Sequence, residues 1–584
     1  MPTFIYLCFI CALTYSSLID ATETQNVVQK ATLRLHANWL ESKQATKLAD
    51  QQPSGDFERQ FLKSYETIPF LPQPLIVTTV VWEDGFGDYV HLQHVLRSLL
   101  DLGHQDVTVI IYYASCHREK LKTHPLPQSK GFNFHYVEFN RQETTYFLCK
   151  ENVSLSKKEF EQRVANSPFF SDFKEGKRDL VIVATFFSDV LKKFKAHQGC
   201  HPLFIREANP PFENAILQDL YVLGWGRNQA MPADPHVLRI AQLEFEQKCE
   251  LALNCFPEKL LKAICLKLDK EHLQKTLLTS SFHHAYYHHP ASSIAFLFTV
   301  LLAQNDDHQA IFFFKDLPSL YDYLSHLPIG ASSSVLSLAS LTKELKLGKI
   351  EFLFLNQPQK ELVFDANGAK TIRLIETEFL TAQAYQLLIS LTSSPFIEGC
   401  TGDHSAQQAL LFHHFPLIEH TSSKDFVINK RVEKHFYQNS VSLFCALHQL
   451  IPYPDDLSLL FYVSDLLMLN LRQKGLGAFD NPEVIFLLKF LGHVLKNKGY
   501  EQDLIRFSRF IAKERELKKP LKHLLARQKL LKYYPTQLPK LEQQLFQSVI
   551  ATPFKKAMLL EEFHRELSCL HRTIFQEQQE DGEH

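Results

Sequence analysis

The stretch LIVTTVVWEDGFGDYVHLQHVLRSLLDLGHQDVTVIIYY, residues 75–113, decides the fold. Its first eight residues are a β-branched apolar run, the pattern of a strand buried on both faces. A turn with two glycines follows, Glu83-Asp84-Gly85-Phe86-Gly87-Asp88. Val90, Leu92, Val95, Leu96, Leu99 and Leu100 then recur at helical spacing, and Gly103 supplies the stop. VTVIIYY (107–113) is the next strand. A strand, a short turn, a helix and a strand in so short a span make a right-handed parallel βαβ unit.

The same alternation extends outward. FNFHYVEF (132–139), DLVIVATFF (179–187) and PLFIRE (202–207) read as further strands separated by helical stretches. HHAYYHH (283–289) opens a second series, followed by IFFF (311–314), IEFLFL (350–355), TIRLIE (371–376), PFIEGC (395–400) and FPLIEH (415–420). The predicted map is a hydrophobic leader over 1–24 and a helical segment and Pro-rich linker over 25–74. A Rossmann-like domain over 75–240 and a helical bridge over 241–280 follow. A second Rossmann-like domain over 281–428 and a helical extension over 429–584 complete it. The fold class is α/β, with two doubly wound sheets.

Composition narrows the function. Sixty-two Lys and Arg against 64 Asp and Glu give a net charge of −2, which leaves no electrostatic footprint for nucleic acid. Residues 4–19, FIYLCFICALTYSSLI, are short for a membrane span; they read as a secretory signal or anchor, or as a hydrophobic N-terminal helix. The 11 cysteines are scattered, with no Cys-x-x-Cys pair beyond Cys8 and Cys11, so neither a disulfide framework nor a zinc site is expected. His283, His284, His288 and His289 cluster in sequence, but a strand does not give them metal-ligand spacing and no acidic residue adjoins them, so no metal is expected there.

Two segments carry chemistry. In the first turn, Gly85 and Gly87 allow close approach of a bound group, and the helix that opens there favours an anion. Asp88, at the C-terminal side of a sheet, either takes a proton from an incoming hydroxyl or amide or simply caps the helix. In the second, a strand ending at Cys400 is followed by Thr401-Gly402-Asp403-His404-Ser405 and a helix. Thr401, Gly402 and Ser405 offer small groups and backbone donors suited to a pyrophosphate, while Asp403 or His404 reaches a ribose or the second phosphate. The alternative is ordinary N-capping by Asp403 or Ser405. Tyr286, Tyr287 and His288 are expected at a strand end, facing a bound base or phosphate or else solvent; Arg206 and Glu207, at another strand end, face a second ligand or pair on the surface.

With these segments in view, the chain resembles the GT-B glycosyltransferases. GFGDYVHLQHVLRSLLDLGH (85–104) is similar to their opening unit, and TGDHSAQQALLFHHFPLI (401–418) to their donor-binding loop and helix, in the style of the heptosyltransferase and protein-rhamnosyltransferase branches. The resemblance covers about 75–425 and implies two Rossmann-like domains facing across a cleft. It implies a nucleotide-diphosphate sugar as co-substrate with no further cofactor or metal, an acceptor that includes proteins, and Asp88 as catalytic base. It places the donor diphosphate on Gly402, Asp403, His404 and Ser405. The chain departs from heptosyltransferases in lacking Gly-Pro-His after Ser405. The Glu-rich end, Gln576 to His584, resembles the C-terminal translocation signals of effectors exported by intracellular bacteria such as Legionella, which implies secretion into a host cell; a solvated tail is the alternative. A competing reading of the whole is an inactive GT-B scaffold that grips a partner through its C-terminal helices.

Overall fold

A computed structural model describes residues 60–580 apart from 69–71, 84–86, 143–144, 152, 184–201, 206–234, 266–268, 305–308, 327–336, 366–367, 378–379, 402, 420–454, 498, 515–517 and 553–554. The predicted leader, Gly85, Gly402, Arg206, Glu207 and the last four residues lie outside the described residues. The chain forms two compact units. One comprises the described residues within 60–232 and 515–580, the other those within 233–514.

The first unit is built on a seven-stranded sheet in the order β5-β4-β3-β2-β1-β6-β7. Its parallel core is β1 (Leu75–Val81), β2 (Val107–Ala114), β3 (Phe132–Gln142), β6 (Asp179–Val183) and β7 (Leu203–Ile205). The predicted β1 is buried at every position because its alternate side chains serve two cores. Leu75, Val77 and Val81 face one apolar cluster, and Ile76 and Val80 face the other. Helix α1 (Gly87–Asp101) follows β1 and ends as the sequence indicates. Gly103 takes φ +85°, its N–H bonds Leu100 O at 2.9 Å, and His104 N–H bonds Leu99 O at 3.1 Å. That double bond closes the helix with a left-handed residue that only glycine adopts without strain. Two short antiparallel strands, β4 (Thr145–Leu148) and β5 (Leu155–Ser156), extend the sheet beyond the prediction.

The second unit repeats the plan with β8 (Ser280–Ala285), β9 (Gln309–Phe314), β10 (Leu347–Leu353), β11 (Lys360–Val363), β12 (Lys370–Glu376), β13 (Ile397–Cys400) and β14 (Phe415–Ile418). Their order is β11-β10-β12-β9-β8-β13-β14, and β11 alone of these pairs antiparallel. Helix α2 (Pro290–Ala303) follows β8, and α3 (Asp403–Leu411) follows β13. Helix α2 is apolar nearly all round and is covered by Asp455–Lys474 and Pro482–Lys496, while α3 packs against Glu501–Glu514. The two units are therefore both doubly wound Rossmann-like α/β folds.

The C-terminal helices divide between the units where the sequence suggests one extension. The described part up to Glu514 belongs to the second unit. Helices α4 (Lys518–Tyr533), α5 (Gln537–Ala551) and α6 (Lys556–Glu580) return to the first, where Leu521, Leu524, Leu538, Phe546 and Phe563 complete the cluster begun by Leu75 and Val77. The helical bridge over 241–280 likewise falls within the second unit. Polar groups fix the return. Gln528 Nε2 donates to Leu180 O on β6 at 3.1 Å, and Lys532 pairs with buried Asp179 at the start of that strand. Arg527 makes two bonds of 2.6 Å to the Glu542 carboxylate, which also accepts from Tyr65, all three side chains being buried. No helix among the described residues is long and apolar enough to cross a membrane.

Candidate functional site

In each sheet the chain changes direction beside the first strand. β1 lies between β2 and β6, and β8 lies between β9 and β13. At such a switch point the helices that follow the two neighbouring strands leave to opposite sides, and a crevice opens at the strands' C-terminal ends. Both segments singled out in the sequence fall there.

In the first unit, Asp88 occupies the first turn of α1, one residue after the helix opens, and is 7% exposed. Its place is inside the helix rather than at the capping position, where a carboxylate still benefits from the positive end of the dipole. The helix is held in register by Tyr89, whose hydroxyl donates to His124 O at 2.8 Å, and by Gln93, whose amide donates to Pro125 O at 3.1 Å. Burial raises the Tyr89 hydroxyl well above the ordinary phenol range, so it stays a donor. On the exit from β1, His117 Nε2 contacts Trp82 O at 2.7 Å and Glu83 pairs with Arg141 at 3.7 Å. Gly87 forms the first residue of α1; Gly85 is not among the described residues.

In the second unit, β8 ends at Ala285, so Tyr286 to His289 form the turn into α2 rather than a strand end. This corrects the placement of Tyr287. Its ring is buried against Phe296, and its hydroxyl donates to Leu417 O at 2.8 Å, so it braces β14 and does not face a ligand. Gly399 makes room for it: a Cβ there would stand 2.4 Å from Ala285 Cβ and 2.8 Å from Tyr287 Cε2. Tyr286 remains half-buried and His288 exposed, their rings 5.7 Å apart. Thr401 is half-buried, and α3 begins at Asp403, which puts Asp403, His404 and half-buried Ser405 in its first turn. Backbone N–H groups in that turn have no partner within the helix, which is the feature an anion uses.

Two carboxylates here were not legible beforehand. Glu419, just beyond β14 and 2% exposed, accepts from the backbone N–H groups of His288 at 2.8 Å and His289 at 3.0 Å. Glu398 on β13 pairs with His284 on the neighbouring β8, and Thr392 Oγ1 donates to it at 3.5 Å. The expectation that no acidic residue adjoins the histidines is thus corrected. His284 has Glu398, while His288 and His289 have Glu419. Among the described residues, no group of three or more His, Cys, Asp or Glu side chains is arranged to hold a metal ion. Burial raises the Glu398 carboxyl, with His284 opposing. Burial together with Glu398 raises the adjacent Cys400 thiol, while the Ser405 hydroxyl beside its sulfur pulls the other way.

Beneath the site, His283 and His414 are buried, and burial pushes both imidazoles down to about 3, with Lys370 adding to the effect at His283 and His413 at His414. An unfolded chain protonates these groups below pH ~6.5, whereas the folded unit keeps them neutral. Their contribution is therefore whole above that pH and is lost as pH falls towards the folded values. Glu398, raised by burial, acts in the opposite sense. A His414→Gln variant isolates the histidine. Between pH 7.5 and 5.5 the wild type should lose about 1.4 kcal/mol more stability than the variant in urea unfolding. Equal losses would show that His414 titrates alike in both states.

Of the predicted site residues, the second unit brings Thr401, Asp403, His404 and Ser405 together at its switch point, and the first unit places Gly87 and Asp88 at its own. Tyr287 leaves the group. No known family profile and no curated protein matches the chain. Among solved structures it is similar to a glycosyltransferase from Rickettsia africae, at 10% identity over 76% of this chain and 98% of that one, with a TM-score of 0.32. It is also similar to the N-terminal domain of trehalose-6-phosphate phosphatase from Candida albicans, at 8% identity over 78% of this chain and 97% of that one, again with a TM-score of 0.32.

Proposed function

We propose that the chain is a glycosyltransferase that moves a sugar from a nucleotide-diphosphate donor to a hydroxyl or amide acceptor, a protein side chain included. The observation that supports it best is the coincidence of two motifs with two switch points. The Asp88 turn lies at the first and the Thr401–Ser405 loop at the second. In this reading Asp88 takes the acceptor's proton as the new bond to the sugar forms, and the nucleoside diphosphate leaves with the electron pair of the broken bond. The first turn of α3 receives the leaving diphosphate through backbone donors and the helix dipole, so that charge is stabilised where it develops.

Thermal melting with UDP-, GDP-, ADP- and dTDP-sugars tests this. A true donor at 100 times its dissociation constant should stabilise the binding unit by about 2.7 kcal/mol. The donor so identified should then lose its sugar to an acceptor in a product assay. No shift with any of the panel would overturn the reading and leave a partner-binding module in its place.

A further inference from the structure

The ends of β9, β8 and β13 lie side by side at the C-terminal edge of the second sheet. Lys315 directly follows β9, and its Nζ donates to Tyr286 Oη at 3.0 Å while standing 4.8 Å from the same ring's centroid. It is half-buried, and among the described residues no carboxylate pairs with it. A lysine partly withdrawn from water is normally compensated by an acidic partner. Here a phenol and a ring face hold it in place without neutralising it.

Among the described residues, Asp316, Glu376 and Glu419, the acidic groups at neighbouring strand ends, are committed elsewhere. Asp316 accepts from Ser319 N–H at 3.2 Å at the start of the next helix, and Glu376 accepts from Leu355 N–H at 2.8 Å. Glu419 takes the N–H groups of His288 and His289 at the mouth of α2. Pro290, the first residue of α2, has no N–H to offer. The positive end of α2 is therefore already matched by the protein's own carboxylate. Tyr286, which carries Lys315, bonds through its own N–H to Gly399 O at 2.9 Å, two residues before Thr401. With strands about 4.8 Å apart, β9 and β13 stand about 10 Å from one another across β8. A lysine side chain and a diphosphate together span that gap.

We propose that Lys315, steered by Tyr286, is the cation that pairs with the diphosphate of the donor, and that Glu419 keeps this diphosphate away from α2. The inference rests on the glycosyl-transfer reading for the identity of the ligand, and on the geometry above for the residue. A phosphate group beside Lys315 gains a charge-assisted hydrogen bond that water-exposed lysines do not provide as strongly.

The test is calorimetric titration of the full chain with inorganic pyrophosphate and with UDP, GDP, ADP and dTDP. Lys315→Met and Lys315→Gln should each weaken pyrophosphate binding by about 10–100-fold, and Lys315→Arg should retain it within about threefold. The two neutral variants differ in polarity, so one that folds suffices, and circular dichroism identifies it. If the wild type binds no pyrophosphate, or a folded neutral variant binds it as tightly as the wild type, the proposal is overturned. Pyrophosphate binding is read without any sugar transfer, so a failed transfer assay leaves the assignment of Lys315 standing. Conversely, an active Lys315→Met enzyme with an unchanged donor KM would sink this proposal and spare the glycosyltransferase reading.

Discussion

Asp88→Asn is expected to lower sugar transfer by about 10²–10⁴-fold, the range for loss of a general base. Asparagine keeps the size and hydrogen-bonding reach of the side chain but accepts no proton at neutral pH. The substitution removes one carboxylate from the first turn of α1, and its interaction with the helix dipole is worth about 0.3–1 kcal/mol. Donor binding, assigned to the second unit, should stay nearly unchanged, so the loss falls on kcat rather than on the donor KM. The measurement is steady-state kinetics with the donor found by melting, together with a thermal melt of the variant. A variant that transfers sugar at the wild-type rate would leave Asp88 a structural residue of α1. Glu83, paired with Arg141, would then be the next group to replace.

Glu542→Ala should destabilise the first unit by about 3–5 kcal/mol. The carboxylate is 1% exposed and joins Arg527 on α4 to Tyr65 near the chain's entrance into the unit. Removing it takes two charge-assisted hydrogen bonds from a guanidinium that is itself buried, and the desolvation cost of that charge is then offset far less. Tyr65, whose hydroxyl is buried, also loses its acceptor. The double variant Arg527→Met with Glu542→Leu replaces both charges by apolar groups and should recover most of the loss. Because the molecule has two units, the unfolding transition must be assigned to its unit by hydrogen exchange at β1 and β2. A Glu542→Ala loss below about 1 kcal/mol would mean that water reaches the guanidinium and the triad is not dry.

The two parallel sheets were legible because their strands announce themselves. LIVTTVV is apolar on both faces because both faces are covered, and Gly103 marks the helix end by a backbone need that no other residue meets cheaply. The strands that escaped were β4, β5 and β11, short antiparallel edges whose side chains are mostly exposed or half-buried and so carry no apolar run. HHAYYHH misled in a different way. Its aromatic residues have strand propensity, yet the segment breaks at Tyr286 because the N–H groups of His288 and His289 bind a carboxylate 130 residues or so further on. Nothing local signals such a partner. The pairing of His284 with Glu398, 114 residues apart, is equally invisible until β8 and β13 lie side by side. Lys315 carries no local signal because a lysine after IFFF looks like any strand exit; what distinguishes it is its Tyr286 partner and, among the described residues, the lack of a paired carboxylate. Asp88 and the Thr401–Ser405 loop were legible for the opposite reason, since a strand, a turn of small residues and a helix start fix their place by local sequence alone.

The return of α4, α5 and α6 to the first sheet has a consequence for biosynthesis. The ribosome delivers β1, β2 and β3 before the second unit, yet the residues that complete the cover of one face of that sheet, Leu521 to Leu567, emerge after it. In between comes the whole second unit, whose residues end at Glu514 and which can close on itself while the first is still half-covered. The usual order, in which the amino-terminal domain folds first, is therefore inverted for this chain. Until Leu521 to Leu567 are made, the nascent protein carries that face covered only by helix α1 and the segment around Phe61 and Tyr65, a natural substrate for chaperones, and termination between Glu514 and Leu521 leaves it so.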